Sequence, residues 1–188
     1  MRIFLLSLLM CVSVNTLRSV DAQSMHIDSE SRSVYLNVTN PGSCVQCSIG
    51  MCGMNANDLN AALLLFDSDY GPAELHGSWP NRVESYCNRR GIRAYNVTGD
   101  ATYDWMKWSC KTGRFAAIGA GTAHFQTLYG YDETNNKPWK VCNNNSPNRI
   151  DEYSESQFKQ LHEASGKWVV ILKQSTSVPP DPSIEWWQ

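Results

Sequence analysis

Residues 42–53 read GSCVQCSIGMCG, a stretch that holds Cys44, Cys47 and Cys52 in close succession. Cysteines this close together occur in disulfide frameworks, in metal sites and around the nucleophile of cysteine enzymes. The surrounding sequence decides among these three possibilities, because each needs different partners elsewhere in the chain.

Apolar side chains recur at helical spacing just after this stretch: Leu59, Ala62, Leu63 and Phe66. The spacing predicts an amphipathic helix that begins at Cys52. A thiol at a helix N-terminus lies near free N–H groups and the positive end of the helix dipole, which lower its pKa. A helix that began at Cys47 would contain Gly50 and Gly53, each about 0.5–1 kcal/mol less favourable than alanine. The pattern therefore favours Cys52 as a nucleophile and leaves Cys47 as the alternative.

The N-terminus, MRIFLLSLLMCVSV, carries one arginine followed by an apolar run, and small residues precede Gln23. This pattern predicts a secretory signal peptide over residues 1–22, cleaved after Ala22. Its apolar part is too short to span a membrane, and no later stretch reaches the roughly 20 apolar residues that a span needs. We expect a protein that is secreted, or held in the lumen of the secretory pathway, without membrane contact after signal removal.

Export makes disulfides and N-linked glycans the first expectation for this chain. Six cysteines remain after signal removal, and a free Cys52 would leave five candidates for disulfides: Cys44, Cys47, Cys87, Cys110 and Cys142. Pairing within an odd set leaves one further thiol, and we expect Cys110 to pair with Cys142. Three sequons predict glycosylation, at Asn37, Asn96 and Asn144. CVQC has the spacing of half a zinc site, but no second pair follows, so we expect no metal and no cofactor.

The composition describes one ordinary globular domain with a weak charge. The chain has 188 residues, of which 42% are hydrophobic, and a formal net charge of −2. No basic surplus exists to meet phosphates, so we expect no nucleic-acid partner. We divide the chain into an N-terminal extension (23–40) with a short strand in SVYLNV, a domain (41–173) and a proline-rich tail (174–188). Trp186 and Trp187 in that tail expose apolar area that we expect to contact the cleft or a protein partner.

Helices dominate the first half of the domain and strands the second half. SWPNRVESYCNRRG predicts a helix that ends at Gly91, and YDWMKWSCKTG predicts a shorter one. Five segments predict strands: IRAYNV, RFAAIGAG, AHFQTLYGYD, PWKVCN and KWVVILK. Ser154 and Gln157 predict a capping box at the start of a helix in SESQFKQLHEASG. The fold class is therefore α+β, with a mostly antiparallel sheet and a cleft between the two halves.

A thiol nucleophile needs a base, a group that orients the base, and donors for an oxyanion. His124, at the start of a strand, is the candidate base. Asn143 is the candidate orienter, because an antiparallel neighbour strand would bring it beside His124, and Asn145 is the alternative. The amide of Gln46, on the loop before Cys52, is the candidate oxyanion donor. The other histidines, at positions 26, 76 and 162, are expected at the surface.

These motifs together resemble the papain-like cysteine peptidase superfamily over residues 42–173. QCSIGMCG is similar to its Q-x5-C-G motif, AHFQTLYGYD to its histidine strand and CNNNSP to its asparagine or aspartate position. The short Cys52–His124 separation is similar to that of the compact domains that process double-glycine bacteriocin leaders. A rival alignment matches GSCVQC to the papain motif GSCGSC and makes Cys47 the nucleophile. Pro41 would then stand at the glutamine position, and it has no side-chain amide.

The resemblance implies a nucleophile helix packed on an antiparallel β half. Cys52 would attack a carbonyl, His124 would act as base and then as acid, and Gln46 with the Cys52 N–H would hold the oxyanion. It also implies a disulfide from Cys44 or Cys47 to Cys87. The expected function is a secreted cysteine hydrolase, a peptidase acting on a peptide or protein substrate. The alternatives are an inactive secreted binding protein and an acyl-transfer enzyme of the amidase or transglutaminase kind.

Overall fold

The computed structural model describes residues 27–36, 43–66, 80–174 and 179–181. Its helices are α1 (Ser29–Ser33), α2 (Cys44–Ala56), α3 (Leu59–Ala62), α4 (Pro80–Arg90), α5 (Thr102–Lys111) and α6 (Glu155–Ala164), with a 3-10 turn at Leu64–Phe66. Its strands are β1 (Ala94–Thr98), β2 (Ala116–Gly119), β3 (Phe125–Tyr131), β4 (Trp139–Cys142), β5 (Asp151–Tyr153) and β6 (Trp168–Leu172). The predicted signal peptide, Asn37, Trp186 and Trp187 lie outside the described residues.

The six described strands form one sheet in the order β1-β6-β2-β3-β4-β5, and every neighbouring pair is antiparallel. Alternate residues along the strands serve two cores, one on each face. Residues of α2 and α4 pack on one face with Phe125 and Val170, and residues of α5 and α6 pack on the other with Ile118 and Val169. The α+β class with an antiparallel sheet is confirmed.

Helix α2 begins at Cys44, after the N-cap residue Ser43. The expectation that the helix starts at Cys52 is wrong. Gly50 and Gly53 argued against a longer helix on helix propensity, but close packing requires glycine at both positions. A Cβ on Gly50 would lie 2.4 Å from Cε1 of Tyr35, and a Cβ on Gly53 would lie 2.3 Å from the backbone nitrogen of Ala62. Tertiary contacts therefore outweigh the low helix propensity of glycine at both positions.

The predicted helix through Phe66 is broken after α2. Asn57 takes a left-handed conformation with φ of 55°, and its N–H donates to the carbonyls of Gly53 and Met54. Asp58 then caps α3 by accepting a hydrogen bond from Ala61 N at 3.1 Å. Leu59 and Leu63, which carried the helical spacing, are 69% and 50% exposed. Their periodicity therefore does not mark a buried face.

Most of the remaining elements follow the prediction. Gly91, with φ of +67°, ends α4, and the capping box of Ser154 and Gln157 opens α6. The short β5 was not predicted. The strand expected in SVYLNV is wrong over its described part, because α1 is followed by a helical cap at Val34. No helix in the described part of the chain is long and apolar enough to cross a membrane.

The predicted disulfides are not formed: all six cysteines of the described residues are free and buried. The pairing of Cys110 with Cys142 is wrong on geometric grounds, because the two residues belong to cores on opposite faces of the sheet. Cys44, Cys47 and Cys87 share one core as separate thiols.

The Asn144 sequon is also wrong as a glycan site. Asn144 is fully buried, and its Nδ2 atom is committed to hydrogen bonds inside the protein. Asn96 is half-buried on β1, where its Oδ1 accepts a hydrogen bond from Trp168 Nε1. Glycosylation at Asn96 stays a prediction.

Candidate active site

His124 and Asn143 meet at one end of the sheet. His124 immediately precedes β3, Asn143 immediately follows β4, and the two strands are antiparallel partners. His124 Nε2 lies 3.0 Å from Asn143 Oδ1, and both side chains are half-buried. The antiparallel arrangement expected from the sequence therefore brings these two residues together.

The hydrogen bonds of Asn143 determine which nitrogen of His124 carries the proton. The backbone N–H of Asn145 also donates to Asn143 Oδ1, at 3.0 Å. A backbone N–H can only donate, so the atom facing it is the amide oxygen. That oxygen accepts from Nε2–H of His124, which leaves Nδ1 of the neutral ring as a free base. Asn145, the alternative orienter, is exposed and contributes its backbone N–H to this arrangement.

Two described thiols lie near this end of the sheet: that of Cys142, the last residue of β4, and that of Cys44, the first residue of α2. Asn144 Nδ2 donates to the carbonyl oxygens of both Cys44 and Phe125, at 2.9 Å each, and Phe125 is the neighbour of His124 in the chain. Burial raises the pKa of Cys44, whereas the N–H groups of Phe125, Val45 and Cys44 itself act to lower the pKa. The first N–H groups of a helix have no intrahelical partner, so this thiol lies beside donors that favour its charged form.

Cys52 lies away from this arrangement. It is eight residues beyond Cys44 on the same helix, about 12 Å along the axis. Its side chain is 2% exposed, and burial raises its pKa far above the usual range. The expected place of Cys52 at the helix N-terminus is therefore wrong, and the electrostatic reason for choosing it as nucleophile is lost.

Cys47, the alternative nucleophile, lies one turn into α2 and has no exposed surface. Burial, with a smaller effect from the charge of Cys44, raises its pKa to about 12. Its thiol is therefore protonated at neutral pH and enclosed by the core.

Gln46 does not occupy the loop position expected of an oxyanion donor. It lies in the first turn of α2 and is 5% exposed. Residues two apart on a helix point to different sides, so the Gln46 side chain does not face the same way as Cys44. Its buried Oε1 atom has no hydrogen-bond partner among the described residues.

Sequence reasoning assigned Cys44 only to a disulfide and thus missed its position. The residues before Cys44 did carry a signal for this position. NPGS is typical of a turn, and its serine, Ser43, is a residue type common at the N-cap, so the two predict a helix that begins at Cys44. Sequence reasoning also missed Asn144, whose Nδ2 atom contacts both α2 and β3.

The fold is similar to that of a solved peptidase of low sequence identity. A double glycine motif protease from an AMS/PCAT transporter, solved in complex with the leader peptide, matches with a TM-score of 0.51 and 15% identity, over 74% of this chain and 89% of that chain. A C39-like peptidase from Bacillus anthracis matches with a TM-score of 0.41 and 14% identity, over 54% of this chain and 62% of that chain. No family model and no curated protein matches the chain. The expected resemblance is confirmed for the fold.

Proposed function

We propose that the protein is a cysteine peptidase in which Cys44, not Cys52, is the nucleophile. One observation carries this proposal: His124 is paired with Asn143, and the next residue in the chain, Phe125, shares the Asn144 amide with Cys44 at the start of α2. In this proposal Cys44 is the thiol nucleophile, His124 is the base and Asn143 orients the base, which are the roles that a cysteine hydrolase needs.

In the proposed reaction, Nδ1 of His124 takes the proton of the Cys44 thiol. The thiolate attacks the carbonyl carbon of a peptide bond, and the free N–H groups of the first turn of α2 bind the developing oxyanion. His124 then gives its proton to the leaving amine, and a thioester with Cys44 remains. Water, deprotonated by His124, hydrolyses the thioester and restores the thiol.

The proposed substrate is a peptide in an extended conformation, and the proposed location is outside the cell or in the secretory lumen. The solved double glycine motif protease holds a leader peptide, which supports a peptide as substrate for this fold. The apolar N-terminus of the chain supports export. Release of the chain into the medium by a secreting host, cleaved after Ala22, tests the second part.

A second candidate function is peptide binding without turnover. Val38 stands six residues before Cys44, where the papain-like resemblance calls for a glutamine. Valine has no amide, so an oxyanion at Cys44 would depend on backbone N–H groups alone. Loss of one oxyanion donor costs about 10²–10³-fold in kcat, and this observation favours a slow enzyme or a binding protein.

The test is hydrolysis of a mixed peptide library by the mature chain, with products identified by mass. We expect Cys44→Ser to abolish cleavage and Cys52→Ala to retain it. Cys110→Ala is the matched control, because Cys110 is buried on the opposite face of the sheet. Binding of peptides without any product would support the second function. Transfer of the acyl group to an added amine, in place of hydrolysis, would support an acyl-transfer enzyme.

A further inference from the structure

Asn144, the residue after the proposed orienter, joins the helix of Cys44 to the strand of His124. Its Nδ2 atom lies 2.9 Å from the carbonyl oxygen of Cys44 and 2.9 Å from that of Phe125. It also lies 3.0 Å from Oγ of Ser48, one turn further along α2. Asn144 is fully buried, so water does not compete for these bonds.

The two carbonyl partners fix the orientation of the amide. Carbonyl oxygens only accept, so both must face the NH2 group, and its two hydrogens are used by Cys44 and Phe125. The Oδ1 atom of Asn144 has no partner among the described residues. An unpartnered buried oxygen costs free energy. The observed orientation carries this cost and uses both donors of Asn144 to bridge α2 and β3.

We propose that Asn144 is a positioning residue that sets the separation between the Cys44 thiol and the His124 ring. This inference rests on the proposed function. Two consecutive residues after β4 then have separate roles. Asn143 orients the imidazole of His124. Asn144 holds the backbone of Cys44 against the backbone of Phe125, the residue after His124. Reacting groups misplaced by about 1 Å lose about 100-fold in rate, so a bridge at this point controls turnover.

Asn144→Asp is the sharpest test, because it keeps the shape of the side chain and removes both donors. A carboxylate would place oxygen against two carbonyl oxygens. We expect kcat for peptide hydrolysis to fall about 100-fold, with KM within about twofold of its original value. Asn144→Ser keeps one donor, and we expect a smaller fall of about tenfold.

The second readout is the pH dependence of Cys44 alkylation by iodoacetamide. A thiol paired with an imidazole reacts at neutral pH, whereas an unpaired buried thiol reacts only at alkaline pH. We expect Asn144→Asp to lose the neutral-pH reaction. Asn135→Asp makes the same chemical change in the exposed hairpin, where the side-chain oxygen accepts a hydrogen bond from Lys137 N, and it should leave both readouts unchanged.

The outcomes separate the two proposals. Wild-type protein without neutral-pH alkylation at Cys44 would overturn the proposed function and this inference with it. Wild-type protein with that reaction, together with folded Asn144 variants of unchanged kcat and unchanged alkylation profile, would overturn only the role of Asn144. If neither variant folds, as judged by circular dichroism, Asn144 is a general structural residue and the positioning role is wrong.

Discussion

Asn143 and His124 are joined by a hydrogen bond of 3.0 Å between Oδ1 and Nε2. The same oxygen accepts the backbone N–H of Asn145, which holds the amide in place. The imidazole is thereby fixed in one orientation and one tautomer, with Nδ1 available as a base. In the proposed reaction this arrangement prepares His124 to act as the base.

Replacement of Asn143 tests the value of this orientation. We expect Asn143→Ala to lower kcat about 100-fold or more, because the imidazole loses the acceptor that fixes its tautomer. Asn143→Asp keeps an acceptor oxygen and should retain much of the activity. Steady-state hydrolysis of a peptide identified from the library measures both. An Asn143→Ala variant as active as the wild type would show that the hydrogen bond has no catalytic role.

Gly53 allows α2 to pack directly on the backbone of α3. An added Cβ would lie 2.3 Å from Ala62 N and 2.6 Å from Ala61 C, and backbone atoms cannot move aside. We expect Gly53→Ala to lower the free energy of unfolding by about 1–3 kcal/mol, despite the better helix propensity of alanine. Gly130→Ala is the control, because its Cβ would meet only Lys140 Cδ at 3.9 Å. Urea unfolding measures both, and a stabilised Gly53→Ala would contradict the packing argument.

His162 is buried, contrary to the surface position expected from the sequence. Its Nδ1 lies 2.7 Å from the Gly119 carbonyl, and its Nε2 lies 2.8 Å from Thr102 Oγ1. Burial lowers its pKa below the ordinary value of 6.5, an effect that Lys167 adds to and that the Gly119 hydrogen bond and Glu163 oppose. The unfolded chain therefore binds the proton at a higher pH than the folded protein does.

This difference predicts a loss of stability on acidification. Above about pH 6.5 both states are neutral at His162, and the full stability is present. As pH falls from about 6.5 to about 5, the free energy of unfolding should fall by at most about 1.4 kcal/mol per pH unit. Carboxylates titrate near pH 4 in the unfolded chain, so this window belongs to histidine. His162→Gln should be less stable at pH 8 and should show a smaller slope across the window, and an equal slope in both proteins would refute the assignment.

Arg32 binds the backbone of residues 147 and 148, which follow the proposed active-site asparagines. Its guanidinium donates to the carbonyl oxygens of Pro147 at 2.6 Å, Asn148 at 3.3 Å and Ile27, and the side chain is buried. We expect Arg32→Met to lower the free energy of unfolding by about 1–3 kcal/mol, because the buried Pro147 carbonyl loses its donor.

Arg32→Lys separates charge from geometry. Lysine keeps the charge but lacks the planar fork that reaches several carbonyls, so we expect its stability to lie nearer to that of Arg32→Met than to that of the wild type. Chemical unfolding of the three proteins measures the difference. A methionine variant of unchanged stability would contradict this role for Arg32.

The parts of the fold that depend on local chemistry could be predicted from the sequence. The capping box at Ser154 and the stop at Gly91 act within one turn of the chain, and both are as expected. The meeting of His124 and Asn143 was also predictable, because an antiparallel pair joined by a short turn has few possible arrangements.

The start of α2 could not be predicted, because it depends on contacts that the local sequence does not contain. Gly50 packs on Tyr35 and Gly53 on Ala62, and neither partner is identified by helix propensity or spacing. The spacing of Leu59 and Leu63 predicted the buried face of a helix, but both side chains are exposed. The choice of Cys52 followed from these two errors together with the match of QCSIGMCG to the Q-x5-C-G motif.

Buried polar residues were missed for the same reason. Asn144 bonds to Cys44, 100 residues away, and Ser48, 96 residues away, while His162 bonds to Thr102, 60 residues away. Asn is mostly exposed in proteins and His is intermediate in burial, and only the fold brings such distant partners together.

The most direct test of the account is to identify the first cysteine that iodoacetamide modifies in the folded mature chain at pH 7. Limited labelling followed by peptide mass mapping should give one carbamidomethyl group, on Cys44, with loss of peptide hydrolysis in proportion to labelling. Under the same conditions His124→Ala should label slowly. Labelling first at Cys52 or Cys47, or undiminished labelling of Cys44 in His124→Ala, would contradict the assignment of Cys44 as the nucleophile.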